Sequence, residues 1–319
     1  MGTKKWLLIS FSFILLGIVS FVGVMSINHW KFSKFESEKY ETKTYEITEY
    51  FDDINLDIST ADVEILLSKD NTNKIVCFEN IKEPHEAFVE NNTLKINGSN
   101  SKWYNHIGIS FKHPKISLYL SRNNFNSLII DASTSDIKIN SDFSFNNVEI
   151  EVSTGNIKSK FKQANEVKIK TTTGTVLIEN LLANSLEIEV SSGNVDLSNI
   201  TLRNDIFVKT STGDATLKNI TCSNFNSSGS TGNLYLYKFI CKEKMNINRS
   251  TGDIKVEKSD ANEIYIKTGT GNVNATLLTE KIIHAKTNTG KENYPVLTTG
   301  GKCEIITTTG NITVSIVNE

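Results

Sequence analysis

Residues 186–197 read LEIEVSSGNVDL. Leu186, Ile188 and Val190 alternate with Glu187 and Glu189, a small polar turn follows, and Val195 and Leu197 resume the alternation. Period-two patterning on both sides of one glycine describes two short strands facing a shared interior. The glycine has a mechanical reason: a tight corner needs a residue at positive φ, which glycine reaches without a Cβ penalty.

The same turn recurs along the chain. It begins as Ser133-Thr134-Ser135-Asp136 and returns as STGN, TTGT, SSGN, STGD, STGN, STGD, GTGN, NTGK and TTGN. Its third residue falls at 135, 155, 174, 193, 213, 232, 252, 271, 290 and 310, so every step is 19 or 20 residues. A fixed period of this length marks a repeat architecture in which one unit cannot bury its apolar face alone. The expected fold is therefore all-β: a right-handed β-solenoid of about ten coils, each about 4.8 Å thick.

Columns test that expectation, because like positions should stack on like. Nine residues after successive glycines lie Ala164, Ala183, Leu202, Cys222, Cys241 and Ala261. Seven after lie Leu181, Ile200, Ile220, Phe239 and Leu278, with Lys162 and Ser259 as exceptions. Four before lie Glu151, Lys170, Glu189 and Lys209, whose alternating signs attract weakly across neighbouring rungs.

Residues 6–27 (WLLISFSFILLGIVSFVGVMSI) carry no charge, and as a helix would span about 33 Å, enough for a hydrocarbon core. Lys4 and Lys5 precede the stretch, with Trp6 and Trp30 at its ends, where interfacial aromatics belong. The expectation is an uncleaved single-pass anchor at 6–27, with residues 1–5 cytoplasmic and the remainder outside the cell membrane. A cleaved signal peptide is the alternative, with Val24-Met25-Ser26 as a poor processing site.

Residues 28–44 are polar and charged and read as a spacer. Residues 45–132 then hold a first coil and an insert. Ile54, Leu56 and Ile58 lead into Ser59-Thr60-Ala61-Asp62, followed by Val63, Ile65 and Leu67, the same corner with alanine for glycine. The period then breaks for 74 residues, with candidate strands at 74–78, 93–96 and 115–120 and an aromatic stretch at 102–111. This insert is expected to cap the open edge of the stack, and 133–319 to form the repeats. Glu292 at an inward position, with Tyr294-Pro295, predicts a loop at 291–301.

Several files of residues invite chemistry. Glu149, Lys168, Glu187, Phe207, Asn226, Asn246, Tyr265, His284 and Glu304 share one outward column, too mixed for a catalytic carboxylate pair. Asp136, Asn156, Asn194, Asp214, Asn233, Asp253, Asn272 and Asn311 raise a calcium reading, but turn-forming side chains account for them. Thr154, Thr173, Ser192, Thr212, Thr231, Thr251, Thr270, Thr289 and Thr309 form a hydroxyl file at the corner. Cys222 and Cys241 fall one coil apart, close enough for a disulfide or for two stacked thiols. Cys77 and Cys303 complete the four cysteines, with no metal-ligand spacing, and the five histidines (29, 85, 106, 113, 284) show none either. No catalytic, cofactor-binding or metal residue is expected.

The motifs INLDISTADVEIL (54–66), TLKI (93–96), KISLYLSRNNFNSLIIDASTSDIKI (115–139) and the STGDIKV-like units resemble the bacterial DUF4097, or putative adhesin, family. The resemblance spans about residues 45–319. It implies a β-helix-like extracellular or cell-surface domain, often found near cell-envelope stress genes, and no established activity or catalytic residue. This chain departs from the commoner pattern at Ser135, where many members have glycine, and in its N-terminal anchor.

The formal net charge of −2 gives no global attraction to nucleic acid. The expected role is a non-enzymatic surface scaffold, tethered to the membrane through residues 6–27, that binds an envelope protein or polymer and has open ends suited to self-association. The alternatives are a polysaccharide lyase or glycosidase on a β-helix, and a regulatory partner of a membrane sensor.

Overall fold

The structure is a computed structural model that describes residues 3–30, 39–98, 112–140 and 143–317. The aromatic stretch at 102–111, with His106, lies outside the described residues. One helix, Thr3–Ile27, precedes a β-solenoid of about nine turns. The helix is long and apolar enough to cross a membrane and exposes apolar side chains around its circumference.

Each turn places one strand before the glycine corner and one after it, and both pair in parallel with the next turn. Ile150, Ile169, Ile188 and Val208 stack in register before the corner, and Ile157, Val176, Val195 and Ala215 after it. All eight are buried, so the alternation read at 186–197 faces one continuous core. Nine corner glycines, from Gly155 to Gly310, have φ between +130 and +156°. A Cβ on Gly193 would stand 1.9 Å from the Gly174 carbonyl oxygen, so stacking and backbone conformation both demand glycine there.

The exceptional positions have local explanations. Lys162 points outward because Phe161, fully buried, takes the core position one residue early. Ser259 is buried and satisfied, its hydroxyl accepting from the Phe239 N–H at 2.9 Å and donating to the Glu257 carbonyl at 2.8 Å. A second corner needs positive φ as well, at Asn180, Asn199 and Asn219, where the amides ladder at 3.1 and 3.0 Å.

The coil at 53–67 stacks on the Ser135 coil, with Thr60 opposite Thr134 and Val63 opposite Ile137, as its degenerate motif predicts. The insert continues the stack on the other face of that coil: Thr93–Asn97 pairs with Asp53–Thr60, and Lys115–Leu120 with Asp62–Leu67. Antiparallel strands finish this end, with Asn73–Asn80 on Lys115–Leu120 and Tyr40–Ile47 on Asn73–Asn80. The strand starting at Tyr40 occupies part of the stretch read as spacer. Its polar residues face solvent at a sheet edge, where charge discourages further pairing, and Ile47 reaches the core.

At the C-terminal end the rungs do not follow chain order. Val273 pairs with Ile312, and Gly301–Thr309 lies between Glu263–Thr270 and Lys281–Thr289. The Gly290 coil is thus outermost, and the last coil in sequence sits one rung inside it. Residues 294–300 form the connecting loop, and Glu292 is tolerated because it is exposed on the outer rung, accepting from the Thr287 N–H at 2.7 Å.

Candidate functional site

Along one edge of the solenoid the outward residues are carboxamides. Asn126, Asn146, Asn165 and Asn184 occupy successive rungs, each amide donating to its predecessor at 3.1, 3.2 and 3.4 Å. Asn126 in turn donates to Asp53 at 2.7 Å, which also accepts from the Ser127 hydroxyl at 2.6 Å. The ladder fixes side chains that would otherwise be mobile, because each amide spends one donor and one acceptor on its neighbours and keeps the rest for solvent or ligand.

Arg122 closes the N-terminal end of this row. It pairs with Asp52 at 2.6 Å, donates to the Phe51 carbonyl, and stacks over Tyr50 and Phe125 at 5.0 and 4.7 Å. The hydrogen bond from Tyr50, followed by that from Arg122, holds the Asp52 carboxyl below its usual range, so it stays a charged acceptor. Arg122, Asp52, Asp53, Asn126, Asn146 and Asn165 line a groove of about 690 Å³ that also takes in Gln163 and Ser144. Carboxamide donors and acceptors on rigid rungs, beside the Asp52 carboxylate and the Arg122 guanidinium, suit a hydroxyl-rich ligand. Spacing at 126, 146, 165 and 184 carries the 19–20 period, and that periodicity is the sequence signal for the row.

The columns weighed for chemistry in the sequence lie in register along the stack. Glu149, Lys168, Glu187 and Phe207 do share one outward file, which continues through Tyr265, Glu304 and then His284. Glu151 meets Lys170 at 2.6 Å and Glu189 meets Lys209 at 3.7 Å. The Asn/Asp file ties rung to rung: Asp136, Asp214 and Asp253 accept backbone N–H groups of Asn156, Asn233 and Asn272, each at 2.7 Å. Those oxygens are occupied by the ladder, and among the described residues no three His, Cys, Asp or Glu side chains gather as a metal site. The Thr file is in register and exposed at the corner.

Cys222 and Cys241 are register partners facing the core, with both thiols free and the sulfurs 3.4 Å apart. The contact between them and burial push the Cys241 thiol up, and burial raises Cys77 and Cys303 to about 12. All four cysteines should therefore resist maleimide in the folded protein and react fully in denaturant, read by intact mass. Rapid labelling of Cys222 in the native state would contradict its inward placement.

Two buried groups escaped sequence reading. His85 and Glu79 pair at 2.8 Å inside the N-terminal cap, although six residues apart in a segment with no regular period. Arg249 lies inside the solenoid, bonded to Thr210 at 2.6 Å and Ser227 at 3.2 Å, with burial lowering its pKa to about 10. Gly229 makes room for it, since a Cβ there would stand 2.0 Å from the guanidinium. The inward file Val190, Thr210, Gly229, Arg249 held that signal.

Stacked glycine corners, a shared apolar interior and a capped N-terminal end define a β-solenoid domain. The sequence matches the Toastrack DUF4097 profile over residues 51–204 and 202–319, and the chain belongs to that family. A solved "putative adhesin" from Parabacteroides distasonis is similar at 11% identity and TM-score 0.50, covering 86% of this chain and 98% of that one. A "putative adhesin" from Bacteroides fragilis is similar at 16% identity and TM-score 0.47, covering 88% and 99%. A "putative lipid binding protein" from Parabacteroides distasonis gives 14% identity and TM-score 0.46, covering 86% and 98%. At these identities the likeness is one of fold. No curated protein matches the chain.

Proposed function

We propose that this protein is a non-enzymatic binding module, held at the cell membrane by its N-terminal helix and displayed outside, where it engages a hydroxyl-rich envelope polymer. The observation that carries this reading is the groove of laddered asparagines between Arg122 and Asn165. Its carboxylates already accept hydrogen bonds from Tyr50, Arg122, Asn126 and Ser127, which suits recognition better than proton transfer. Family membership supports a surface role.

The test uses epitope-tagged full-length protein in intact cells. The expected result is retention in carbonate-washed membranes, digestion of the solenoid by external protease, and capture of envelope glycan by the solubilised protein. Asn146→Ala with Asn165→Ala should weaken that capture about thirtyfold, through loss of two laddered amides at roughly 1 kcal/mol each. A soluble, protease-shielded protein would overturn the placement, and undiminished capture by the double variant would overturn the groove.

A further inference from the structure

A second concavity, of about 920 Å³, opens on the post-corner sheet and is lined by Lys138, Lys158, Lys160 and Lys162 with Asn140 and Asn180. Its shape has a cause in the backbone. Here the post-corner strands are only three residues long, Ile137–Ile139 and Ile157–Ser159, whereas the next rung runs Val176–Ala183. Phe143 and Phe161 plug the core where the short strands end. The Phe161 shift also turns Lys162 outward, beside Lys158 and Lys160 on the same rung.

The charge there is poorly balanced. Lys138 and Lys158 are register partners on adjacent rungs, and like charges so placed repel. On the other sheet Glu151, Lys170, Glu189 and Lys209 alternate instead. Glu64 engages Lys138 at 2.8 Å and Lys115 at 2.7 Å, and those two bonds hold its carboxyl at about 2, so it remains an anion occupied on the rim. Glu179 meets Lys160 at 2.7 Å in an exposed pair, which is weak. Among the described residues no carboxylate stands within ion-pair distance of Lys158 or Lys162, and both are exposed.

We propose that this lysine concavity binds the phosphates of a phosphodiester-linked envelope polymer. Alternate residues of an extended segment are about 7 Å apart along the backbone and rungs about 4.8 Å apart, so the flexible lysine side chains of these rungs can reach successive phosphates. The inference deepens the binding-module reading and rests on it, while using a different face from the asparagine groove. Only residues 28–39 separate the helix from the first strand, so lipid headgroups offer the same phosphate chemistry and the experiment must separate the two.

Full-length protein in phosphatidylcholine nanodiscs would be titrated with fluorescent poly(glycerol phosphate), followed by anisotropy. Lys158→Glu with Lys162→Glu should weaken binding at least about tenfold and flatten the salt dependence by about one unit or more of log–log slope. Lys267→Glu with Lys286→Glu, on distant rungs, should change it less than twofold. Circular dichroism checks folding, and Lys158→Gln with Lys162→Gln serves if charge reversal unfolds the protein.

Unchanged affinity in both Lys158/Lys162 variants would overturn the proposal, as would equal losses in the distal control. So would equal binding of polygalacturonate, which carries carboxylates, or binding confined to phosphatidylglycerol vesicles. The Asn146/Asn165 variant separates the two readings. If it loses glycan capture and keeps phosphate-polymer binding, this site stands alone; if the lysine variants keep glycan capture, the groove stands without this site.

Discussion

Alanine in place of Gly193 should prevent the solenoid from closing. The new Cβ would lie 1.9 Å from the Gly174 carbonyl oxygen, and that oxygen belongs to the backbone of a rung held on both sides. Alanine would also have to adopt φ +144°, outside the region available to a side chain with a Cβ. Neither problem can be relieved by a rotamer change, so the cost should exceed about 4 kcal/mol and appear as insolubility or a large fall in the urea midpoint. Gly98→Ala is the matched control, because its nearest neighbour would be 3.4 Å away, an ordinary contact. Similar unfolding midpoints for the two variants would show that the corners are not what sets the fold.

The second large effect is expected at Asp260 and Lys281. Their side chains are almost fully buried and meet at 2.6 Å, two rungs apart across the inserted strand at Gly301. Asp260 also accepts the backbone N–H groups of Ala261, Leu278 and Thr279 at 2.7, 3.0 and 2.6 Å. Asp260→Ala therefore leaves a buried ammonium and three N–H donors without their acceptor, and should cost about 3–5 kcal/mol. Lys281→Met should cost less, about 1–3 kcal/mol, because the carboxylate retains its three donors. Urea unfolding measures both, and hydrogen exchange should show loosening concentrated at Val273–Leu277 and Ile312–Ile316. If Asp260→Ala cost no more than the exposed Glu280→Ala, the pair would have no part in pinning that end.

Much of this architecture was legible because a solenoid repeats one local decision. The pattern around Gly193 requires a corner, the 19–20 spacing requires stacking, and the Cys222/Cys241 and Glu151/Lys170 columns follow from that spacing alone. Ala61 could be placed beside the later glycines for the same reason, despite the 74-residue break. The binding surfaces were less legible. The asparagine row carries the period but is not apolar, so it resembles ordinary turn chemistry until Arg122, Asp52 and Tyr50 are seen beside it. Lys162 looked like an exception in a core column, and only the inward turn of Phe161 reveals it as part of a basic concavity.

From the sequence alone came the corners, the interior and the N-terminal helix, because each depends on residues within about one repeat of one another. Tertiary structure alone decided the order of the rungs. The coils at Gly290 and Gly310 carry nearly the same pattern, so either satisfies the columns of the Gly271 coil. The choice rests on long-range contacts that no period encodes. Gly301 has no side chain to block the path between rungs, and Lys281 reaches across it to Asp260. At the other end, the strands at 93–97 and 115–120 likewise pass outside the first coil, because its exposed ladder needed partners that only the insert could supply.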